Sequence, residues 1–194
     1  MKNVFKTAVF AVFCIASINN LAAQSKPAEA MKERTEMVGG AKMSSMKNII
    51  ENAVNSKAHT TLVAAVKAAD LVATLQSAGP FTVFAPVNNA FGNLPAGTVE
   101  TLLKPENKAT LTKILTYHVV SGKYSFNAIK ELIKKGGGTA SLPTVSGGKL
   151  FFMSNGPHNI LVKDENGGVA DVVTYDVIQS NGIIHSVDAV LMPK

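Results

Sequence analysis

The sequence predicts an α+β fold, with helices filling most of the first half of the mature chain and strands filling the second half. Apolar residues recur at helical spacing between residues 46 and 115, while short β-branched runs bounded by glycine and asparagine turns dominate the later part. A block of helices followed by a block of antiparallel strands favours an α+β fold over alternating strands and helices around a parallel sheet.

The first 23 residues have the arrangement of a secretory signal peptide. Lys2 and Lys6 precede an apolar run over residues 7–18, and residues 21–24 (LAAQ) supply small side chains for cleavage. We expect cleavage after Ala23, with cleavage one residue later as the alternative. The apolar run is too short to span a bilayer comfortably, so we predict an exported protein, either periplasmic or at the cell surface and beyond.

Composition narrows the class of protein. Cys14 is the only cysteine and lies in the predicted signal peptide, so the mature chain has no disulfides and needs a packed core, which about 150 residues can form. Removing Lys2 and Lys6 lowers the formal charge from +6 to about +4. We expect no nucleic-acid partner, because no basic run is interleaved with aromatic residues. Without a second long apolar run, we also expect no transmembrane span after signal removal.

Residues 24–44 are polar and lack a sustained apolar stripe, which predicts a flexible leader. A short helix could form within it, and Gly39-Gly40 would end that helix. The apolar pattern begins at residue 45, and a single domain is predicted over residues 45–194.

The first half of this domain is mainly helical. A helix is predicted over residues 46–56, and residues 59–80 contain a second helix followed by a short helical turn that Asp70 caps. Residues 98–118 are predicted as a short helix followed by a longer one with Pro105 in its first turn, and residues 80–86 (PFTVFAP) as one buried strand. A helical turn follows that strand. Val87 cannot cap this turn, so Asn88 is expected to do so.

The second half contains one short helix, in residues 127–138, and a series of strands. The strands are predicted in residues 117–122, 143–147, 149–155, 159–164, 167–180 and 182–193. Turns rich in glycine and asparagine separate most of them.

Three stretches resemble fasciclin domains. Residues 79–91 (GPFTVFAPVNNAF) and 181–193 (NGIIHSVDAVLMP) are similar to the two signatures of that family, and residues 114–124 (ILTYHVVSGKY) to its central Tyr-His motif. The resemblance implies a wedge of β-strands packed with several helices. The matching signature residues are Asn88, Phe91, Asn181, Gly182 and His185, which we expect to be structural.

The same resemblance implies a secreted or surface-displayed module linked to adhesion, matrix association and contact between host and microbe. The family is not known for catalysis. In adhesive animal members an Asp-Ile pair before the second signature is linked to receptor binding. The matching positions here are Asp176-Val177. Together with Tyr117 and His118, they form the candidate binding surface.

The histidines allow several interpretations. His185 could be a metal ligand, a general base or a neutral core residue, and we favour the core residue because no metal-ligand spacing surrounds it. His118 could belong to an adhesion surface, but a structural hydrogen-bonding role at the helix-to-strand junction is favoured. His59 and His158 are expected at the surface.

The motifs that indicate catalysis are missing from the sequence: there is no GxSxG, HExxH or phosphate-loop spacing. We therefore expect no enzyme, no cofactor and no metal. The predicted function is a secreted binding module for a cell-surface or matrix protein or a polysaccharide. The alternative is a carrier of a small apolar ligand, which is suggested by the apolar second half. The oligomeric state stays open, with a weak homodimer among the options.

Overall fold

The computed structural model describes residues 33–194. These residues form one compact unit. The predicted signal peptide and the first part of the predicted leader lie outside the described residues. No helix in residues 33–194 is long and apolar enough to cross a membrane.

The helices are short and lie mostly in the first half, as the sequence predicts. They are α1 (Ile49–Ala53), α2 (Thr60–Ala68), α3 (Val72–Gln76), α4 (Asn88–Gly92), α5 (Thr98–Leu102), α6 (Lys108–Tyr117) and α7 (Phe126–Lys135). Pro105–Asn107 form a 3₁₀ turn that leads into α6. Asn48 begins α1 with a capping box, in which its side chain and that of Glu51 each accept the other's backbone N–H.

Nine strands form a hairpin and a seven-stranded sheet in the described residues. The strands are β1 (Thr35–Val38), β2 (Ala41–Ser44), β3 (Phe81–Pro86), β4 (Val119–Ser121), β5 (Thr139–Pro143), β6 (Lys149–Ser154), β7 (Ile160–Lys163), β8 (Val169–Gln179) and β9 (Gly182–Val187). The sheet order is β4-β3-β9-β8-β7-β6-β5. Only β3 and β9 pair in parallel within this sheet. The α+β prediction is confirmed.

Two apolar clusters form the core. The first lies where α1, α2, α3 and α6 cover β3 and β9, and it includes Leu62, Val66 and Ile184. The second lies against strands β5 to β8 and includes Phe84, Phe152 and Ile133 of α7. The helical half and the strand half of the chain therefore each bury their own apolar side chains, with β3 and β9 contributing to both.

The hairpin β1–β2 differs from the predicted flexible leader. Val38 and Met43 are 5% and 1% exposed and pack in the first cluster. Gly39 and Gly40 form the hairpin turn with positive φ angles, rather than ending a helix. The hairpin therefore packs onto the domain through Val38 and Met43, although the leader has no long apolar stripe.

Candidate functional site

Tyr117, predicted for the binding surface, is fully buried. Its hydroxyl donates to the Lys149 carbonyl at 2.7 Å and accepts from the Glu165 amide at 3.0 Å. Burial raises the pKa of Tyr117 above its usual value. The structure thus corrects the surface prediction, because the ring sits in the core and its hydroxyl joins α6 to the start of β6 and the turn after β7.

His118 is 2% exposed and cannot form a partner-binding surface either. Its Nδ1 lies 2.9 Å from the Ile114 carbonyl, and its Nε2 accepts from the Leu191 amide at 3.0 Å. A carbonyl can only accept, so the ring proton is on Nδ1 and the imidazole is neutral. Burial lowers the pKa of His118 to about 4. This geometry is the hydrogen-bonding role that the sequence favours for His118, at the junction of α6 with β4.

The two residues of the Asp176-Val177 pair differ in burial: Val177 lies in the core, and Asp176 is half-buried. Val177 is 1% exposed and pairs with Ile184 of β9, so it is not available to a partner. Asp176 is half-buried, has a φ of 54°, and its carboxylate accepts from the Phe126 amide at 2.8 Å. Asp176 therefore holds the first turn of α7 against β8, and the pair does not present an exposed dipeptide.

His185 is fully buried between β8 and the segment before α7. Its Nε2 donates to the Tyr124 carbonyl at 2.9 Å, and its Nδ1 accepts from the Asp176 amide at 3.3 Å. Its ring stacks on Phe84 with centroids 5.5 Å apart. Burial lowers the pKa of His185, and the Tyr124 carbonyl and the Asp176 carboxylate oppose that shift. These are the surroundings of a neutral core histidine.

Asn181 and Gly182 join the last strand to the helical layer. The Asn181 side chain accepts from the Ile49 amide at 3.1 Å and donates to the Leu75 carbonyl at 2.8 Å. A Cβ atom on Gly182 would lie 2.2 Å from the Phe81 carbonyl oxygen, so only glycine fits beside β3. Both residues therefore have structural roles.

Asn88 has a different role from the predicted one. It is the first residue of α4, but its side chain accepts from the Thr61 amide at 3.1 Å and so caps α2. Its Nδ2 also donates to the Lys57 carbonyl at 2.8 Å. Phe91, half-buried, packs against the first apolar cluster.

His59 is a buried residue that sequence reasoning placed at the surface. It is 2% exposed, with Ser56 Oγ 2.9 Å from its Nδ1 and Ser186 Oγ 3.2 Å from its Nε2. Burial lowers the pKa of His59. His158 is exposed, as expected. In the part of the chain that the structure describes, no group of three or more His, Cys, Asp and Glu residues is placed to hold a metal ion.

The outward face of strands β5 to β8 carries apolar side chains that reach solvent. The registers place Phe151 beside Lys163 and Val169 in one row, and Met153 beside Leu161 in the next. Phe151, Met153 and Leu161 are partly exposed, and Val169 is 46% exposed. We call these five residues the outer sheet face.

A cavity of about 240 Å³ lies in the helical half, within the first apolar cluster. Helices α1, α2, α3 and α6 cover it, and β3 and β9 form its floor. The walls are almost entirely apolar and include Leu62, Val66, Leu75, Phe81, Val83 and Ile184. His59 and His118 also line it, with their ring nitrogens already hydrogen-bonded to the protein.

Comparison with known proteins identifies the same region as the sequence motifs. The family model described as Fasciclin domain matches residues 57–193. Protein sll1483 of Synechocystis sp. is 48% identical over 163 residues, which cover 83% of this chain and 82% of that protein. Immunogenic protein MPB70 of Mycobacterium bovis is 37% identical over 146 residues, which cover 73% of this chain and 66% of that protein.

A solved structure supports the fold. The FAS1 domain pair from the insect cell adhesion molecule fasciclin I matches with a TM-score of 0.66 and 18% identity. The match covers 75% of this chain and 51% of that chain. At this identity, the likeness concerns the arrangement of helices and strands.

Proposed function

This chain belongs to the fasciclin domain family, and on that premise we propose that it is an exported, non-catalytic binding module for a cell-surface or matrix protein or a polysaccharide. The observation that carries the proposal is the family match over residues 57–193, which spans nearly the whole predicted domain. The insect structure of the same fold comes from a cell adhesion molecule. Members of the family are generally adhesion-type domains rather than enzymes.

The surroundings of the histidines support a non-catalytic role. An enzyme built on His118 or His185 would need a ring nitrogen within reach of a substrate proton. Both rings are buried, and both of their nitrogens are hydrogen-bonded to backbone groups. A substrate would have to break a core hydrogen bond before either ring could act as a base.

The outer sheet face is the surface that we assign to partner binding, in place of the buried Tyr117 and His118. Its partly exposed Phe151 and Met153 offer apolar contact area, and the neighbouring Lys163 adds a charge. Apolar patches bordered by polar side chains are typical of surfaces that contact other macromolecules. The partly exposed side chains lie in neighbouring rows across three strands, which suits contact with an extended glycan or a protein surface.

The test is retention of a partner by the mature chain. Immobilised residues 24–194 are incubated with the surface fraction of the source cells and with a panel of polysaccharides, and bound material is identified by mass spectrometry. We expect a specific protein or glycan to be retained by the wild type and lost with Phe151→Ala/Met153→Ala. The matched control is Met37→Ala/Met46→Ala, which removes side chains that are 66% and 60% exposed elsewhere.

Each outcome bears on a different part of the proposal. Retention that survives loss of Phe151 and Met153 would move the binding surface away from the outer sheet face. Retention of nothing across the whole panel would overturn the binding-module proposal.

Two further experiments test the oligomeric state and the location of the protein. Sedimentation of the same protein over a concentration series tests for the weak homodimer. Fractionation of the source cells distinguishes a periplasmic protein from one outside the cell.

Carriage of a small apolar ligand is the second candidate function. The cavity in the helical half favours it, because an apolar walled space is what such a ligand requires. The two functions use different parts of the domain, since the cavity lies in the helical half and the outer sheet face lies on strands β6 to β8.

A further inference from the structure

The cavity in the first apolar cluster has the chemistry of a dry binding site. Its wall is built from side chains such as Leu62, Val66 and Leu75, and the cluster around it is nearly all aliphatic. Cavities with walls of this kind stay empty of water and take up apolar molecules instead. The wall itself therefore selects against polar ligands.

The polar residues in the wall do not change this preference. His59 and His118 each use both ring nitrogens for hydrogen bonds within the protein. The Thr116 hydroxyl donates to the Thr112 carbonyl at 2.7 Å. The other two polar lining residues, Lys67 and Thr74, are exposed to solvent. A ligand in the buried part of the cavity would therefore meet imidazole carbons and apolar side chains, and a polar group on that ligand would lose its hydrogen bonds to water without replacement.

The cavity reaches the surface. Val54 and Val145 are among its lining residues and are 47% and 44% exposed. Lys67, also a lining residue, is exposed on α2. A molecule can therefore approach past side chains that already contact solvent.

Size sets the class of ligand. An apolar cavity of about 150 Å³ holds benzene, so in proportion 240 Å³ holds roughly ten heavy atoms. We propose that this cavity is a binding site for a compact, uncharged, apolar molecule of about this size. A fused two-ring hydrocarbon or a compact terpenoid fits this description.

Some of the residues that line the cavity come before residue 57 in the sequence, outside the region that the family model matches. Met43 of β2, together with Ile49 and Ile50 of α1, lines the cavity, whereas the match begins at residue 57. Met43 is 1% exposed because the hairpin folds over the helical layer. The N-terminal hairpin and α1 therefore complete the site, and Met43→Ala is expected to enlarge it.

Naphthalene is the probe for the test, because it is uncharged and has about ten heavy atoms, the number expected from the volume. The chain has no tryptophan, so naphthalene fluorescence can be followed without an indole background. We expect saturable binding to residues 24–194. In methyl NMR spectra, shifts should be confined to the first cluster, at Leu62, Val66 and Ile184, and absent from Val162 of the second cluster.

Variants on α2 locate the site. Val66→Phe adds about four carbon atoms to the cavity, close to half of the expected ligand, and should weaken naphthalene binding by roughly tenfold or more. Ala68→Phe makes a similar change at an exposed position of the same helix that does not line the cavity, and it should bind as the wild type does. Because Val66 is buried and its variant could fail to fold, Val63→Phe at a half-buried lining position serves as the second variant.

Three results would overturn the proposal. The first is no saturable binding by the folded wild type up to the solubility limit of naphthalene. The second is binding that neither Val66→Phe nor Val63→Phe weakens, when circular dichroism shows that at least one of them is folded. The third is tighter binding of 1-naphthoate than of naphthalene, since that would indicate recognition of charge, with Lys67 as its source, instead of an uncharged ligand.

Discussion

The Leu191 amide donates a hydrogen bond of 3.0 Å to Nε2 of His118, so the C-terminal segment is attached to the end of α6 through a buried imidazole. The other ring nitrogen donates to the Ile114 carbonyl one turn earlier in the helix. His118 thus connects two segments that are 73 residues apart in sequence. Ile114 and Leu191 are 4% and 1% exposed, so both backbone groups would be buried without a hydrogen-bond partner if the ring were lost.

Replacing His118 with phenylalanine should therefore destabilise the domain. The ring shape is kept, but the Leu191 amide and the Ile114 carbonyl are left unpaired, which costs about 2–4 kcal/mol of unfolding free energy. Urea unfolding followed by circular dichroism measures the loss. His158→Phe, at an exposed position, is the matched control and should stay within about 0.5 kcal/mol. Equal stability of His118→Phe and the wild type would contradict this account.

Stability should also fall on mild acidification. The pKa of His118 is about 4 in the folded protein and 6.5 as its ordinary value, so the unfolded chain binds more protons between these values. The contribution of His118 to the unfolding free energy is fully present above pH 6.5 and is lost as the pH falls toward 4. The loss amounts to about 3 kcal/mol for this residue. Burial lowers the pKa values of His59 and His185 as well, and they act in the same direction.

Unfolding free energies at pH 7.5, 6 and 5 test this dependence. A His118→Gln variant lacks this titrating group. The plot of its unfolding free energy against pH should therefore be less steep than that of the wild type, by the amount that corresponds to about one bound proton. If its slope equals that of the wild type, His118 does not titrate as a buried neutral ring.

The element types could be predicted from the sequence because they depend on local spacing. The stripe of α6 and the alternation in β9 are each visible within ten residues or so, and both elements are present. The parallel pairing of β3 with β9 was not predicted, because it joins segments such as Phe81 and Gly182 that lie far apart in sequence. The capping box of Asn48 and Glu51 is a local signal that could have placed the start of α1.

The site was less predictable than the fold, because burial of a polar residue depends on distant partners. His59 looks like a surface helix start, yet its ring meets Ser186 from 127 residues away. Val177 looks like one half of an exposed pair, but pairing with β9 buries it. The cavity has no motif at all, since its walls come from separate helices and strands that each look like ordinary core.

The cap that Asn88 provides to α2 gives a third prediction. Asn88→Ala removes the acceptor of the Thr61 amide and the donor to the Lys57 carbonyl. We expect a loss of about 1–2 kcal/mol of unfolding free energy. Asn89→Ala, next to it and exposed, makes the same change without these partners and should have little effect. If both variants lost equal stability, the cause would be the asparagine-to-alanine change in α4 and not the cap on α2.

The contact between Gly182 and Phe81 gives the last prediction. An added Cβ atom on Gly182 would lie 2.2 Å from the Phe81 carbonyl oxygen, so β9 and β3 would have to separate where they pair. Gly182→Ala should lower the unfolding free energy by about 3 kcal/mol or more, or the melting temperature by roughly 10 °C. The control is Gly92→Ala in α4, where an added Cβ meets nothing within 4 Å. Helix propensity makes that change neutral or slightly stabilising. A Gly182→Ala protein that melts with the wild type would show that the strands can move apart at this point without cost, against the close approach that the structure describes.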